Sequence, residues 1–228
     1  QILNNGMQIK DVSNLSGDHA ISLDSLSSEQ IEVVRGPETI IYGGGAVGGV
    51  INIIDYRIHP EFVDGIVGKY DVSIGGPNNG TSSSMLVDIG ADNFMWHFDL
   101  YDRDSKSIKI PGFSVSKKLA ESDSEFTRSK YGKDSLQNSY NETLGGGVGA
   151  TYFFNNGHTG FSYAKHEQEY GTILEADAFI DLESDNFKYE LEMRDLSNFV
   201  NKFKVKVSHT DYEHFEMEDS AIGLDYFD

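Results

Sequence analysis

From residue 66 onward the chain alternates between apolar and polar side chains. Ile66, Tyr70, Val72 and Ile74 take turns with Lys69, Asp71 and Ser73; Met85, Val87 and Ile89 alternate with Ser84 and Asp88; Phe94, Trp96, Phe98 and Leu100 alternate with His97 and Asp99. Leu144, Gly146, Val148, Ala150, Tyr152 and Phe154 share one face, opposite Gly145, Gly147, Gly149 and Thr151. The same period returns at Phe161 and Tyr163, at Phe187, Tyr189, Leu191 and Met193, and at Phe203, Val205 and Val207. A period of two predicts strands with one apolar face. Short turns at 91–93, 155–157 and 195–201 alternate with longer polar stretches at 104–142, 171–178 and 216–220. This predicts an all-β chain with about eight antiparallel strands, the last reaching the end at Asp228. The apolar face suits either the core of a soluble sandwich or the lipid side of a membrane barrel, and period alone does not choose.

Residues 1–57 read differently. Residues 2–9 form a turn-linked strand pair, 14–17 a turn-rich loop and 26–31 a short helix. A strand at 31–35 then meets an Arg35-Gly36-Pro37 corner, a glycine-dense turn and a second β-branched strand from Val50 to Ile54. Residues 57–64 are a linker. Gly43, Gly45 and Gly48 satisfy the G-x-G-x-x-G dinucleotide pattern, which needs a helix opening at the last glycine. The strand-forming Val50-Ile-Asn-Ile-Ile54 follows instead, so those glycines serve tight turning and close backbone approach.

Composition narrows the class. There is no cysteine, so disulfide and thiol chemistry are excluded. No apolar run approaches the roughly 18 residues of a membrane helix. The 14 Phe, 12 Tyr and 24 Gly against 4 Pro favour β structure. A net charge of −19 argues against nucleic acid, which demands a basic face, and acidic loops would gather cations. No Ser-His-Asp, paired-carboxylate or phosphate-loop constellation indicates an enzyme.

The stretch from Ile31 to Asp55 resembles the C-terminal half of the plug domain of TonB-dependent outer-membrane receptors, whose pattern reads much like IEVxRGP followed by YGxxAxGGVINII. The resemblance implies that residues 1–57 are the C-terminal part of a plug and that 58–228 are the N-terminal portion of a transmembrane barrel of about 22 strands. It further implies residence in the Gram-negative outer membrane, contact with its lipid, and TonB as the energy-supplying partner. The box that TonB grips would precede Gln1, where no signal peptide is seen.

Ser16, Asp18, His19, Ala20 and Ser22 match the "SPDHAVS" plug loop of the zinc-uptake subgroup of these receptors, with Gly17 in place of its proline. Asp55-Tyr-Arg-Ile58 also resembles that subgroup. The resemblance implies that Asp18 and His19 bind Zn²⁺ as the transported ion, no catalytic cofactor being expected. Tyr212, His214, Glu216 and Glu218 share one face by period two, opposite Phe203, Val205 and Val207, and so point into the lumen. The subgroup has a similar pattern there, and either Glu216 or Glu218 is expected to ligate, with Tyr212 and His214 beside it as alternates. The His-rich outer loop common in the subgroup is absent from 172–178; His166, Glu167 and Glu169 precede that segment and are candidate substitutes.

A siderophore or haem receptor of the same architecture is the alternative reading. A passive porin or adhesin would lack the plug pattern, and a dinucleotide enzyme would need a helix at Gly48. The strand phasing places 104–142 outside the cell. An epitope tag inserted at Ser122 of the intact receptor is therefore expected to bind antibody on whole cells; detection only after permeabilisation would reverse the phasing.

Overall fold

The computed structural model describes residues 1–14, 19–124, 126–173, 175 and 178–218. The N-terminal region holds β1 (Ile2–Asn4), β2 (Met7–Gln8), β3 (Gln30–Val34) and β4 (Val50–Ile54), which form one sheet in the order β2-β1-β4-β3. β1 runs parallel to β4, whereas β2 and β3 pair antiparallel with their neighbours. Leu3, Ala46 and Val50 make a small buried core flanked by Val34 and Tyr42.

The helix expected at 26–31 is not formed. Ser25–Ser27 is a single 3-10 turn, capped by Asp24, whose side chain accepts from the Leu26 N–H at 2.9 Å. Gln30 already pairs with Ile54, so strand pairing claims the residues that a helix would have needed. The glycine-dense segment holds two 3-10 turns, Pro37–Tyr42 and Gly44–Ala46, and leads directly into β4.

The remaining chain builds a larger sheet from β5 (Gly65–Gly75), β6 (Gly80–Ala91), β7 (Phe94–Ser105), β10 (Asn141–Phe154), β11 (Gly157–Gly171), β12 (Ala178–Ser197) and β13 (Val200–Glu218). Its order, β13-β12-β11-β10-β7-β6-β5, is an antiparallel meander throughout. Seven strands are described; an eighth, expected at the C-terminal end, lies outside the described residues. Between β7 and β10 the long polar stretch carries structure of its own. β8 (Lys109–Phe113) pairs with β9 (Lys133–Ser135), and α1 (Lys117–Ser122) and α2 (Arg128–Tyr131) lie between them. Val115 and Tyr131 are buried there, and the Arg128 guanidinium stacks 4.4 Å from the Phe113 ring centre.

The predicted alternation is present. Phe94, Trp96, Phe98 and Leu100 are exposed while Met95, His97 and Tyr101 are buried. On the outward face Phe94 packs on Tyr152, Phe161 on Tyr189 and Tyr163 on Phe187, each pair 4.9 Å between ring centres. Cross-strand aromatic pairs of this kind stabilise a sheet and, facing lipid, form the bands of outer-membrane barrels. The β6–β7 connection is two residues long, with φ +48° at Asp92 and +69° at Asn93, as a primed hairpin turn requires.

The N-terminal sheet sits against the inner face of this wall, and the segment joining them lies flush on it. Two inward positions of β10, Gly147 and Gly149, lack side chains for that reason. A Cβ on Gly149 would lie 1.7 Å from the Arg57 carbonyl oxygen, and one on Gly147 2.2 Å from Arg57 Nε. The seat is completed by a buried ion network. Asp55 is wholly buried; its Oδ2 accepts from Lys188 Nζ, Arg57 Nη1 and Asn4 Nδ2, each at 3.2 Å, and its Oδ1 from Asn5 Nδ2 at 2.7 Å. Arg57 donates Nε and Nη2 to the two oxygens of Asp99, both at 2.7 Å.

Burial alone would push the Asp55 carboxyl upward, but Lys188, Arg57 and the hydrogen bonds hold it far below the usual carboxylate range. Burial likewise disfavours the Arg57 cation, and Asp55 and Asp99 more than offset it.

Two outcomes follow for the intact protein. Gly149→Ala is expected to lower stability by about 1–3 kcal/mol, the cost of overpacking a closed contact, measured by urea unfolding in detergent. Asp55→Asn leaves two buried cations short of a counter-charge and is expected to cost about 3–5 kcal/mol at pH 7. Because the folded carboxyl is depressed, its stabilisation is complete above the unfolded value near 4 and drains away as pH falls below it. The gap between parent and variant should therefore stay constant from pH 7 to about pH 5 and narrow only in stronger acid.

Candidate functional site

Residues 11–14 and 19–22 lie between β2 and β3, with residues 19–22 at the long-loop end of the wall. Asp11 joins them: Oδ2 accepts from the Ser22 N–H at 2.9 Å and its hydroxyl at 3.0 Å, while Oδ1 accepts from Ser13 Oγ at 2.5 Å. The Ala20 N–H donates to Tyr170 Oη on β11 at 2.8 Å, fastening the loop to the wall beside His19. Opposite stands the end of β13, where period two turns Tyr212, His214 and Glu216 inward.

His19 Nε2 lies 3.0 Å from Glu216 Oε1. The His19 and His214 rings meet edge-on with centres 5.1 Å apart, and Tyr212 is 5.5 Å from His214. One ligand atom from each of His19, His214 and Glu216 lies within 4.8 Å of the others. The His19 side chain keeps 7% exposure and that of Glu216 49%, so the group is reached by solvent mainly through Glu216. Two imidazoles and one carboxylate are a mixed N/O donor set that suits a borderline divalent cation.

Of the five residues singled out in the sequence, His19, His214 and Glu216 are brought together. Asp18 lies outside the described residues, next to His19. Glu218 is the last residue of β13, opposite Ala178, and its side chain also lies outside the description. His166 faces inward with Nδ1 2.9 Å from Tyr101 Oη. Glu167 and Glu169 do not join it: alternation turns them to the other face, where Glu167 pairs with Lys165 at 2.8 Å and Glu169 accepts from Tyr140 at 3.0 Å.

Two further clusters escaped the sequence reading. His59, Asp88 and His97 converge where the linker crosses β6 and β7, and His158, Glu190 and Glu192 converge near the short-turn end of β11 and β12. The inward parity of Asp88, His97 and Asp99 was available from alternation. The arrival of His59 was not, because it depends on the path of a segment without period.

Comparison with known proteins agrees with this architecture. Residues 1–50 match the family described as TonB-dependent Receptor Plug Domain. The structure is similar to the copper transporter OprC, with a TM-score of 0.71 and 15% identity over 95% of this chain and 30% of that one. It is also similar to the FrpB iron transporter from Neisseria meningitidis (TM-score 0.65, 16% identity, 96% and 34% covered). A mutant of the ferric enterobactin receptor PfeA from Pseudomonas aeruginosa gives a TM-score of 0.51 at 13% identity, with 94% and 37% covered. The chain thus spans about a third of the length of these structures. Residues 1–50 resemble a TonB-dependent receptor plug domain, and the chain as a whole shares the fold of these solved structures.

Proposed function

We propose that this chain serves TonB-dependent active import across the outer membrane, with a transition-metal cation, Zn²⁺ before others, as the cargo. In this reading residues 1–57 are the C-terminal part of the plug and 58–228 the N-terminal part of the barrel wall. The activity is transport rather than catalysis. The observation that carries the reading is the convergence of His19 from the plug with His214 and Glu216 from the wall. Asp18, adjacent in sequence to His19, and Glu218, at the end of the same strand, are the further donors proposed.

The division of donors between two parts gives a mechanism. Bound between plug and wall, the cation holds its full ligand set only while the plug is seated. A pull by TonB on the plug withdraws His19 from His214 and Glu216, and a cation left with part of its ligands binds far more weakly. Release is thereby coupled to the displacement that opens the path. A siderophore or haem receptor is the second reading, since the structural neighbours include a ferric enterobactin receptor as well as copper and iron transporters. Closely packed small donors favour a bare ion over a bulky chelate.

Isothermal titration of the intact receptor with Zn²⁺ tests this. His19→Ala and Glu216→Ala are expected to weaken binding by more than about tenfold, as loss of a ligand should exceed the loss of its supporting contacts, and Asp18→Ala should also weaken it. Zinc affinity unchanged in Asp18→Ala and His19→Ala would reduce the loop to a plug turn and remove zinc from consideration.

A further inference from the structure

From the group around His59 we infer that the receptor holds a second cation site, built by His59, Asp88 and His97 and placed on the exit side of the first. Three separate elements supply it: the linker after the plug, β6 and β7. Asp88 Oδ1 stands at the centre, 2.8 Å from His59 Nε2 and 2.7 Å from His97 Nδ1. All three ligand atoms lie within 4.8 Å of one another. A tetrahedral ion with bonds of about 2.1 Å would hold its ligand atoms about 3.4 Å apart, so the two Asp88–histidine distances need to open by well under an ångström.

What surrounds the three points to a ligand as well. The second ring nitrogen of His97, Nε2, lies 3.1 Å from Asp99 Oδ2, and Asp99 is in turn clamped by Arg57. An imidazole braced on its far side by a fixed carboxylate is the arrangement that orients histidines toward metals and raises their basicity. His59 is fixed from behind, its backbone N–H donating to Thr151 Oγ1 at 2.9 Å and its ring stacking on Tyr56. His97 is fully buried, whereas the His59 and Asp88 side chains keep 11% and 14% exposure, leaving a way in from the lumen. Two neutral imidazoles and one carboxylate leave a divalent cation with one net positive charge and room for water as fourth ligand.

The third cluster fails the same scrutiny. Glu190 and Glu192 are already neutralised by Lys202, Lys204, Lys206 and Arg194 at 2.6–3.3 Å, which repels a cation from His158.

Position gives the His59 site its role. Through the strand pairing His214 is in line with Leu182, Gln168, Thr143 and Arg103. His97 lies six residues (103 minus 97) toward the short-turn end from Arg103, about 20 Å along the strand at about 3.4 Å per residue. A cation leaving the first site toward the periplasm would meet the second beside the linker. That role rests on the cation reading proposed above, whereas the existence of the site does not.

The test uses the intact receptor in detergent, stripped with chelator and reloaded with Zn²⁺, with bound metal counted by mass spectrometry after desalting. His59→Gln and Asp88→Asn are each expected to bind one equivalent fewer than the parent. His19→Ala should lose a different one, so that His19→Ala combined with His59→Gln loses two. Counts unchanged in folded His59→Gln and Asp88→Asn overturn the second site, whatever His19→Ala does. Loss confined to those two variants, with His19→Ala unchanged, overturns the first site and leaves the second standing. Histidine footprinting of the unaltered receptor needs no variant: Zn²⁺ should protect His59 from acylation at least severalfold, and labelling at His59 indifferent to Zn²⁺ would sink the inference.

Discussion

A carboxylate without water holds this structure together. Asp55 is the first residue after the last strand of the N-terminal sheet, and it is removed from solvent while charged. Such a group is tolerated only where opposite charges and donors surround it. Those come from three places at once: Asn4 and Asn5 of the plug, Arg57 of the linker and Lys188 of the wall. Arg57 then passes the constraint to Asp99 on another strand. The plug therefore has one place to sit, and the donors of the candidate metal site are positioned by an interaction remote from them in sequence.

The wall is shaped to receive that network. Glycine on the inner face of β10 removes the side chains that would keep the linker off the strand, and alternation leaves the outer face of the same strand apolar with Leu144, Val148 and Tyr152. Further round, β13 changes character along its inner face. Lys202, Lys204 and Lys206 neutralise Glu190 and Glu192 at one end, and Tyr212, His214 and Glu216 stand at the other. One strand thus carries a charge-locked foot and a donor-bearing tip.

Much of this was legible in the residues. Alternation located all seven described wall strands and assigned His214 and Glu216 to the face opposite Phe203, Val205 and Val207. The β-branched run after the glycines excluded a nucleotide-binding helix. Other features were invisible because they depend on partners distant in the chain. Residues 26–31 were misread as a helix since the claim of β4 on Gln30 cannot be seen locally. The paired strands and short helices within 104–142 rest on contacts such as Arg128 over Phe113, which follow no period. The meeting of His59 with Asp88 needed the linker's path, and that path is set by glycines read only as one face of an alternating strand.

The span of these contacts governs how the molecule assembles. Asp55 and Lys188 are separated by 133 residues, and Lys206 donates to the Asn5 carbonyl across 201. A chain emerging N-terminus first must complete its sixth wall strand before Lys188 can join Arg57 at Asp55, and its seventh before Lys206 can reach Asn5. Closing loops of that length is entropically costly, and it precedes any reward from the contacts they bring. The N-terminal sheet comes early in the sequence, yet its contacts to the wall are among the longest in range. Without β12 the Asp55 carboxylate lacks Lys188, and docking against that strand makes it the pin between the N-terminal sheet and the wall.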